Sequence, residues 1–300
     1  MSAILVIGSA NMDLVAFADR LPGPGETLLG GAFQSFPGGK GGNQAVAAAR
    51  AARQPGTVAF LGRVGADSFG TRLREGLAQN GVDTRWLGTV DGASGVAVIM
   101  SGGGNNMIVV APGANDALDA AAIDPKAFDG ARFVLAQLET PLDGVIAVAR
   151  LARAQGAVFI LDPAPARALP PELLALVDWL TPNESEACLL LGVTSLGDPV
   201  AAARRLKALG PRGVVLKLGG QGAVLLADDT PVLIGAHKVA VADTTAAGDA
   251  FNGAFAVALS EGCAPPRVAA LAMRAAAISV TRQGAQPAMA PRTEIDGFSG

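Results

Sequence analysis

Five short apolar runs, separated by helical stretches, constrain the fold of this 300-residue chain more than any other feature. Runs of this length with almost no polar residue are typical of strands buried on both faces of a sheet. Alternation of strand and helix predicts an α/β fold with three Rossmann-like layers, in which a mainly parallel sheet has helices on both sides. The predicted strands are 4–7, 58–61, 133–136, 158–161 and 214–217, and the predicted helices are 43–53, 142–154, 201–209 and 248–260.

Two segments interrupt this alternation. Residues 13–37 contain several glycines and prolines and have no helical period, and residues 93–112 contain two β-rich runs around a Gly/Asn turn at 102–106, which predicts a hairpin. We expect a small β-sheet that stands off the main sheet as a lid over the active site. An extension of the main sheet at its edge is the alternative. The main domain would then comprise 1–12, 38–92 and 113–300, and the lid 13–37 and 93–112.

Composition narrows the range of partners. Half of the residues are hydrophobic, 16% are charged and the net charge is −3, without a basic stripe. Nucleic acids and anionic membranes are therefore not expected as partners. No apolar segment reaches the roughly 18 to 20 residues of a membrane-spanning helix, and the start of the chain resembles a strand and not a signal peptide. We expect a cytoplasmic protein.

Scarcity of cysteine and histidine excludes several kinds of catalytic site. Cys188, Cys263 and His237 are the only residues of these two types. They are too few for a disulfide framework or a zinc hydrolase site, and a Ser-His-Asp triad would have to use His237. Catalysis is expected to depend on carboxylates, lysines and backbone amides.

The first candidate motif is the glycine-rich segment 37–47, which precedes an alanine-rich helix. Its glycines allow the backbone to approach a ligand closely, and the helix start favours anions. Lys40 and Asn43 add donors suited to hydroxyl or phosphate groups. The spacing differs from that of a Walker loop. A glycine-rich entrance to a helix without any function is the alternative.

The second candidate motif is the segment 243–255. Ala246, Ala247 and Gly248 predict a tight turn whose amides could face an anion, and Asp249 falls in the first helical turn that follows. Phosphoryl transfer needs both anion-binding amides and a base. An aspartate at the start of a helix also has a purely structural explanation, because it caps the helix and interacts favourably with its dipole.

Together, these two segments resemble the amino-terminal and carboxy-terminal signatures of the ribokinase-like (PfkB) sugar kinases. Other matching segments extend over the whole chain: 8–13, 24–27, 137–139, 163–166, 181–186 and 280–286. Gly42 and Asp162 depart from the Ala and Asn that are usual in ribokinases. The resemblance implies the ribokinase-like fold, with a β-sheet lid, and ATP-dependent phosphorylation of a sugar, D-ribose at O5 being favoured.

The resemblance assigns roles to individual residues. Asp249 would be the base that takes the proton of the sugar's primary hydroxyl, and the amides of Ala246, Ala247 and Gly248 would form the anion hole. Asp249 would also contact the sugar, together with Asn11, Asp13, Gly39, Lys40, Asn43 and Glu139.

The resemblance also implies sites for ATP and for two kinds of cation. Mg²⁺ would arrive mostly on ATP. A monovalent cation, K⁺, would order the anion-hole loop, and a homodimer would form through the lid strands. The nucleotide would contact Asn183, Glu186, Lys217, Gly219, Gly220, Gly222 and Gly248, and the K⁺ site would comprise Asp243, Thr245, Ser279, Arg282, Gly284 and Ala288.

Two alternatives to a ribose kinase remain at this stage. The enzyme could phosphorylate another small sugar or a nucleoside, such as deoxyribose, fructose or adenosine. The chain could also be a sugar sensor without catalytic activity, although an intact Asp249 and its alanine-glycine turn argue against that.

Overall fold

A nine-stranded sheet forms the centre of the molecule in a computed structural model that describes residues 3–299. Its strand order is β13-β12-β11-β10-β9-β8-β1-β4-β5. All neighbouring strands are parallel except for the pairs β11–β12 and β12–β13, which are antiparallel. The strands are β1 Ile4–Ile7, β4 Val58–Gly65, β5 Asp83–Val90, β8 Phe133–Ala136, β9 Val158–Leu161, β10 Trp179–Leu180, β11 Gly213–Lys217, β12 Ala223–Leu226 and β13 Val232–Ile234.

Helices cover both faces of this sheet, which confirms the predicted three-layer α/β fold. Residues Ile4 and Val6 of β1 pack into one hydrophobic core with α1, α2, α7, α8 and α9, whereas Leu5 and Ile7 pack into the other with α3, α4, α5 and α6. The helices are α1 Lys40–Ala51, α2 Ser68–Gln79, α3 Leu142–Ala154, α4 Pro171–Leu174, α5 Glu184–Leu191, α6 Pro199–Ala208, α7 Ala247–Ser260, α8 Pro265–Ser279 and α9 Arg292–Gly297.

A separate four-stranded sheet contains the two segments that interrupt the alternation. Its order is β3-β2-β6-β7, in which β2 and β6 are parallel and the other two pairs are antiparallel. The alternative of an edge extension of the main sheet is therefore wrong. The exact division into main domain and lid stays a prediction, and residues 1, 2 and 300 lie outside the described residues. The strands are β2 Asn11–Ala18, β3 Phe33–Gly38, β6 Gly95–Gly102 and β7 Asn105–Ala111.

The hairpin turn in this second sheet is shorter than the predicted 102–106. Gly103 and Gly104 have φ values of 60° and 76°, and the strand pairing resumes directly at Gly102 and Asn105. Two consecutive left-handed residues form the turn that matches the twist of a two-residue hairpin, and glycine adopts them without steric cost.

Close packing of α1 against α7 brings the two sequence motifs together. A side chain at Gly253 of α7 would begin 2.6 Å from the Cβ of Ala47 and 2.7 Å from the carbonyl oxygen of Gln44, both on α1. Only a residue without a side chain permits this distance between the helices. Both helices begin at the carboxyl edge of the main sheet, so their first turns are neighbours.

We expect Gly253→Ala to destabilise the protein by about 1–3 kcal/mol, because the new methyl group forces α1 and α7 apart. Urea unfolding measures this change. The matched control is Gly297→Ala in α9, where a methyl group meets no atom within 4 Å and should be neutral or slightly stabilising. Equal unfolding midpoints for the two variants would contradict the packing argument.

Candidate active site

The candidate site lies at the edge where the parallel strands of the main sheet end. Ligands of open α/β sheets bind at this edge. Glu139 lies beyond the end of β8, Asp162 directly follows β9, and Lys217 ends β11. Asn43 and Asp249, which lie 206 positions apart in the chain, are in direct contact here. The fold therefore joins the two motifs that the sequence places at opposite ends.

Asp249 lies in the first turn of α7 with only 5% of its surface exposed. Asn43 Nδ2 donates a hydrogen bond to its Oδ2 at 3.0 Å, and Gln44 Nε2 donates to its Oδ1 at 2.9 Å. Both oxygens are held by amides from α1, and each retains a lone pair for a ligand.

The surroundings of Asp249 favour a carboxylate that can accept a proton near neutral pH. Its pKa is raised to about 6, mainly by burial. The Lys40 ammonium and the hydrogen bonds from Gln44 and Asn43 act to lower this pKa, and the charge of Asp162 acts to raise it. A base with a pKa close to the working pH combines a large ionised fraction with a useful proton affinity.

The turn before Asp249 presents backbone amides. Ala246 has a φ of 57°, and no other non-glycine residue in 3–299 has a positive φ. The N–H of Ala247 bonds to the carbonyl of Thr244 at 3.3 Å, whereas the N–H groups of Gly248 and Asp249 have no partner in the described chain. Free amides at the start of a helix attract anions. Unusual backbone conformations of this kind occur at functional sites.

Glycine-rich residues 38–42 let the start of α1 approach β2. Gly39 has a φ of 81°, and a side chain there would lie 2.7 Å from the backbone nitrogen of Asn11. A side chain at Gly38 would collide with the carboxylate of Asp13. Glu139 Oε2 accepts hydrogen bonds from the backbone N–H of Lys40 at 3.1 Å and from the Ser9 hydroxyl at 2.6 Å.

Charged groups on this side of the site influence one another. Burial raises the pKa of Asp13 to about 7, and the charges of Glu139 and Asp249 add to this effect. Burial lowers the pKa of Lys40, but nearby carboxylates outweigh burial and raise it overall; they belong to Asp249, Asp162, Glu139 and Glu186. Lys40 is therefore a firmly protonated cation among acidic side chains.

Asn183 and Glu186 occupy the start of α5 and bond to each other. Asn183 is the residue immediately before the helix, and Glu186 lies in its first turn. Its side chain accepts from the N–H of Glu186 at 2.9 Å, and the Glu186 carboxylate accepts from the N–H of Asn183 at 2.7 Å. Burial and then the charge of Asp162 raise the pKa of Glu186. This capping arrangement stabilises the helix start.

The glycines that follow β11 differ in what they do. Gly219 and Gly220 are exposed, and a side chain at either would meet no atom within 4 Å, so a ligand can approach them. Gly222 is buried, and a side chain there would begin 2.0 Å from the carbonyl oxygen of Ile234. The packing against β13 therefore explains why position 222 is a glycine.

Asp243, Thr245 and Gly284 of the predicted K⁺ site are joined by hydrogen bonds. Asp243 Oδ1 accepts from the N–H of Thr245, and Oδ2 accepts from the N–H of Gly284, each at 2.9 Å. Burial raises the pKa of Asp243, but these bonds and one from the Thr245 side chain outweigh it and lower the pKa. The Arg282 side chain bonds to Glu294 instead. Ser279 and Ala288 are buried, and the N–H of Asp243 donates to the carbonyl of Val280, the residue after Ser279, at 3.2 Å.

Four polar residues at the site received no role from the sequence. Ser9 and Gln44 belong to segments that match the family signatures, and Asp162 stands out in the sequence only because ribokinases usually have Asn at this position. Asn115, which is 1% exposed, had no signal in the sequence. Its Nδ2 donates to Asn11 Oδ1 at 2.7 Å, and its Oδ1 accepts from the N–H of Ala10 at 2.9 Å. Asn115 thus orients Asn11.

Residues 3–299 contain neither a membrane-spanning helix nor a cluster of metal-binding side chains. No helix there combines the length and the apolar composition that crossing a membrane requires. No group of three or more His, Cys, Asp or Glu side chains in the same part of the chain is arranged to hold a metal ion.

Comparison with known proteins identifies the family. The family model described as pfkB family carbohydrate kinase matches residues 1–292. This chain belongs to the pfkB family of carbohydrate kinases. A ribokinase of Bacillus subtilis is 42% identical over 299 residues, which are 99% of each chain. A deoxyribokinase of Salmonella typhi is 35% identical over 94% of each chain.

A solved structure of another family member supports the fold in detail. Arabidopsis thaliana ribokinase, described as complexed with ribose and ATP, superimposes with a TM-score of 0.91 and 34% sequence identity, and the match covers 100% of each chain. As a member of the pfkB family, the present chain is a ribokinase-like sugar kinase.

Proposed function

We propose that this pfkB kinase transfers the γ-phosphoryl group of Mg-ATP to O5 of D-ribose, with Asp249 as the general base. Relatives named as ribokinases support the choice of ribose. The site supports it through its chemistry, because a free pentose requires several carboxylates and amides that accept and donate hydrogen bonds in pairs. Asn11, Asp13, Asn43 and Glu139 provide such groups within one small region.

One buried atom carries most of this argument. Asn43 Oδ1 is buried and has no hydrogen-bond partner, whereas Nδ2 of the same side chain is held by Asp249. Leaving a buried acceptor unpaired costs about 1–3 kcal/mol, so such atoms generally have a partner in the functional state. A sugar hydroxyl that donates to this oxygen would lie beside the carboxylate that is proposed to deprotonate it.

In the proposed reaction, Asp249 accepts the proton of the primary hydroxyl while the phosphoryl group is transferred. The N–H groups of the predicted anion hole at Ala246, Ala247 and Gly248, together with that of Asp249, would stabilise the negative charge on the transferred group. Positioning and charge stabilisation would contribute more to the rate than the base, which typically supplies about 10² to 10⁴.

The nucleotide would lie along the exposed glycines after β11. Gly219 and Gly220 leave room for it, and the Lys217 ammonium lies next to the amide turn, 3.5 Å from the point where a side chain at Gly248 would begin. Asn183 and Glu186 would provide oxygen ligands for Mg²⁺, which keeps several of its waters and uses few protein ligands. Bound Mg²⁺ would neutralise charge on the phosphates.

Deoxyribose is the second candidate substrate, because a relative named deoxyribokinase is 35% identical. Ribose is preferred here, since a site that hydrogen-bonds a hydroxyl group strongly rejects the analogue that lacks it. An ADP-release assay should therefore include ribose, deoxyribose, fructose and adenosine. A chain that only senses sugar would bind it without releasing ADP.

We expect ADP release with ribose and a loss of about 10² to 10⁴ in kcat for Asp249→Asn, because the amide cannot accept the proton. A coupled ADP assay measures the rate, and calorimetry should show that the variant still binds ribose. Asp228→Asn, an exposed change on the loop after β12, is the control and should retain full activity.

The same assay has a defined pH dependence. Asp249 must be ionised to act, so kcat/KM should decrease as the pH is lowered through about 6, and Asp13, with a pKa of about 7, should steepen the decrease. Full activity of Asp249→Asn, or no ADP release from the wild-type chain with any of the four candidate substrates, would contradict the proposal.

We also propose that a monovalent cation activates the enzyme at the loops around Asp243. This carboxylate joins the turn before α7 to the segment after α8, and carbonyl oxygens from both segments suit K⁺. Activity should be higher in potassium chloride than in tetramethylammonium chloride, and Asp243→Asn should weaken the difference. The exposed Asp229→Asn is the control. Equal rates in the two salts would refute the proposed activation.

A homodimer through the lid strands is proposed from the exposed edge strand β7. All of its residues are exposed, and four consecutive ones, 107–110, are apolar. An uncovered apolar edge strand tends to pair with another chain. Sedimentation velocity should show a dimer that Val109→Lys dissociates, whereas Leu233→Lys, an equally exposed change on β13, leaves it intact. A monomeric wild type would rule the dimer out.

A further inference from the structure

Two buried side chains, Gln44 and Asp162, connect the base Asp249 to Lys217 on the nucleotide side. Gln44 Nε2 donates to Asp249 Oδ1 at 2.9 Å and also to Asp162 Oδ2 at 2.8 Å. Lys217 Nζ donates to the other oxygen of Asp162, Oδ1, at 3.1 Å. Gln44 is 0% exposed and Asp162 is 2% exposed, so water does not compete with these bonds. The contacts form a continuous hydrogen-bonded chain across the site.

Gln137 determines which way the amide of Gln44 faces. Its Nε2 donates to Gln44 Oε1 at 2.6 Å, so the carbonyl end of Gln44 is occupied and its NH₂ group faces the two carboxylates. An NH₂ group carries two hydrogens, and here one is available for each carboxylate. A neutral amide thus holds two buried anions at a fixed distance without adding charge to the site.

Asp162 holds the Lys217 ammonium in place, as Gln44 holds the carboxylate of Asp249. In this ion pair, the side chain of Asp162 is 3% exposed and that of Lys217 is 13% exposed. Burial of either charge alone would be costly, which keeps the pair together. The ammonium has three hydrogens, of which Asp162 takes one, and it lies beside the amide turn at Gly248. The two remaining hydrogens are available to a phosphate oxygen.

We propose that Gln44 and Asp162 are positioning residues that hold the base Asp249 and the ammonium of Lys217 in one fixed arrangement, a role that rests on the proposed kinase function. Asp249 contacts the sugar hydroxyl and Lys217 contacts the transferred phosphoryl group, so their separation determines whether acceptor and donor are aligned. Neither Gln44 nor Asp162 contacts a reacting atom. Their contribution is alignment, to which phosphoryl transfer is especially sensitive.

Electrostatic effects support the same arrangement. The charge of Asp162 is among the causes that raise the pKa of Asp249, and it acts against Lys40. Asp249 in turn raises the pKa of Asp13, which lies on β2 and also feels Glu139 after β8. Removal of the Asp162 charge should therefore lower the pKa of Asp249, whereas the loss of Gln44 should raise it by removing a hydrogen bond to the carboxylate.

Two variants test the proposal through opposite shifts in the pH profile. Gln44→Leu should lower kcat about 10- to 100-fold, as expected for a misaligned base, and should move the acid limb of kcat/KM to higher pH. Asp162→Asn, which installs the residue usual in ribokinases, should also lower kcat in this chain, because Gln44 and Lys217 donate to different oxygens of Asp162 and one of these donors would face the NH₂ group of Asn. It should move the acid limb to lower pH. Its KM for ATP should rise more than its KM for ribose.

Asp178→Asn is the matched control. This carboxylate also lies between β9 and β10, but at the opposite end of the sheet, where it accepts from the N–H of Phe159 at 2.8 Å and pairs with Arg212 at 3.1 Å. Its loss should affect the thermal midpoint and leave kcat and the pH profile unchanged. Thermal unfolding of all three variants shows whether folded protein is being compared.

The outcomes separate this proposal from the kinase function itself. An inactive wild-type chain would refute the kinase function. An active wild type in which Gln44→Leu and Asp162→Asn behave like Asp178→Asn, with lower stability and an unchanged kcat and pH profile, would refute the positioning role. If Gln44→Leu does not fold, Asp162→Asn decides alone, because Asn preserves the size of the side chain and one acceptor.

Discussion

The contact between the first turns of α1 and α7 is the interaction on which the site depends. Asn43 and Gln44 reach Asp249 because Gly253 lets the two helices approach to backbone contact. Each helix begins at the carboxyl edge of the same parallel sheet, so its free N–H groups and its first polar side chains face one region. A polyol and a phosphate can therefore be held next to a single carboxylate.

Charge balance is the second constraint at the site. Asp13, Glu139, Asp162, Glu186 and Asp249 bring several carboxylates into a region with little solvent, and Lys40 and Lys217 compensate for them only in part. Burial is the main reason why the pKa values of Asp13 and Asp249 are raised, and the charges of neighbouring carboxylates add to it. A base of useful strength thus results from an arrangement that costs stability.

Sequence patterns predicted the parts of the fold that depend on local order. Continuous apolar runs predicted β1, β8 and β9 with their observed bounds, because buried parallel strands need apolar residues on both faces. The strand β5 was missed, since it lies at the sheet edge and alternates with polar residues, and the two residues of β10 are too few for a pattern. The family resemblance, and not periodicity, supplied the individual site residues.

The hydrogen-bonded chain through Gln44 could not be predicted from the sequence. Its members are separated by 118 and 205 positions, and only the completed fold brings them together. Asn115 is a similar case, because it meets Asn11 across 104 positions. Long-range contacts between ordinary polar residues leave no local signal, whereas glycine clusters and helix starts do.

A crystal structure with ribose and a non-hydrolysable ATP analogue tests the central claim most directly. The account predicts that a carboxylate oxygen of Asp249 lies within about 2.6–3.2 Å of the primary hydroxyl of ribose. It also predicts that Asn43 Oδ1 accepts a hydrogen bond from the sugar and that the γ-phosphate faces the turn at residues 246–248. A sugar bound with its primary hydroxyl turned away from Asp249, or a nucleotide phosphate located elsewhere, would contradict it.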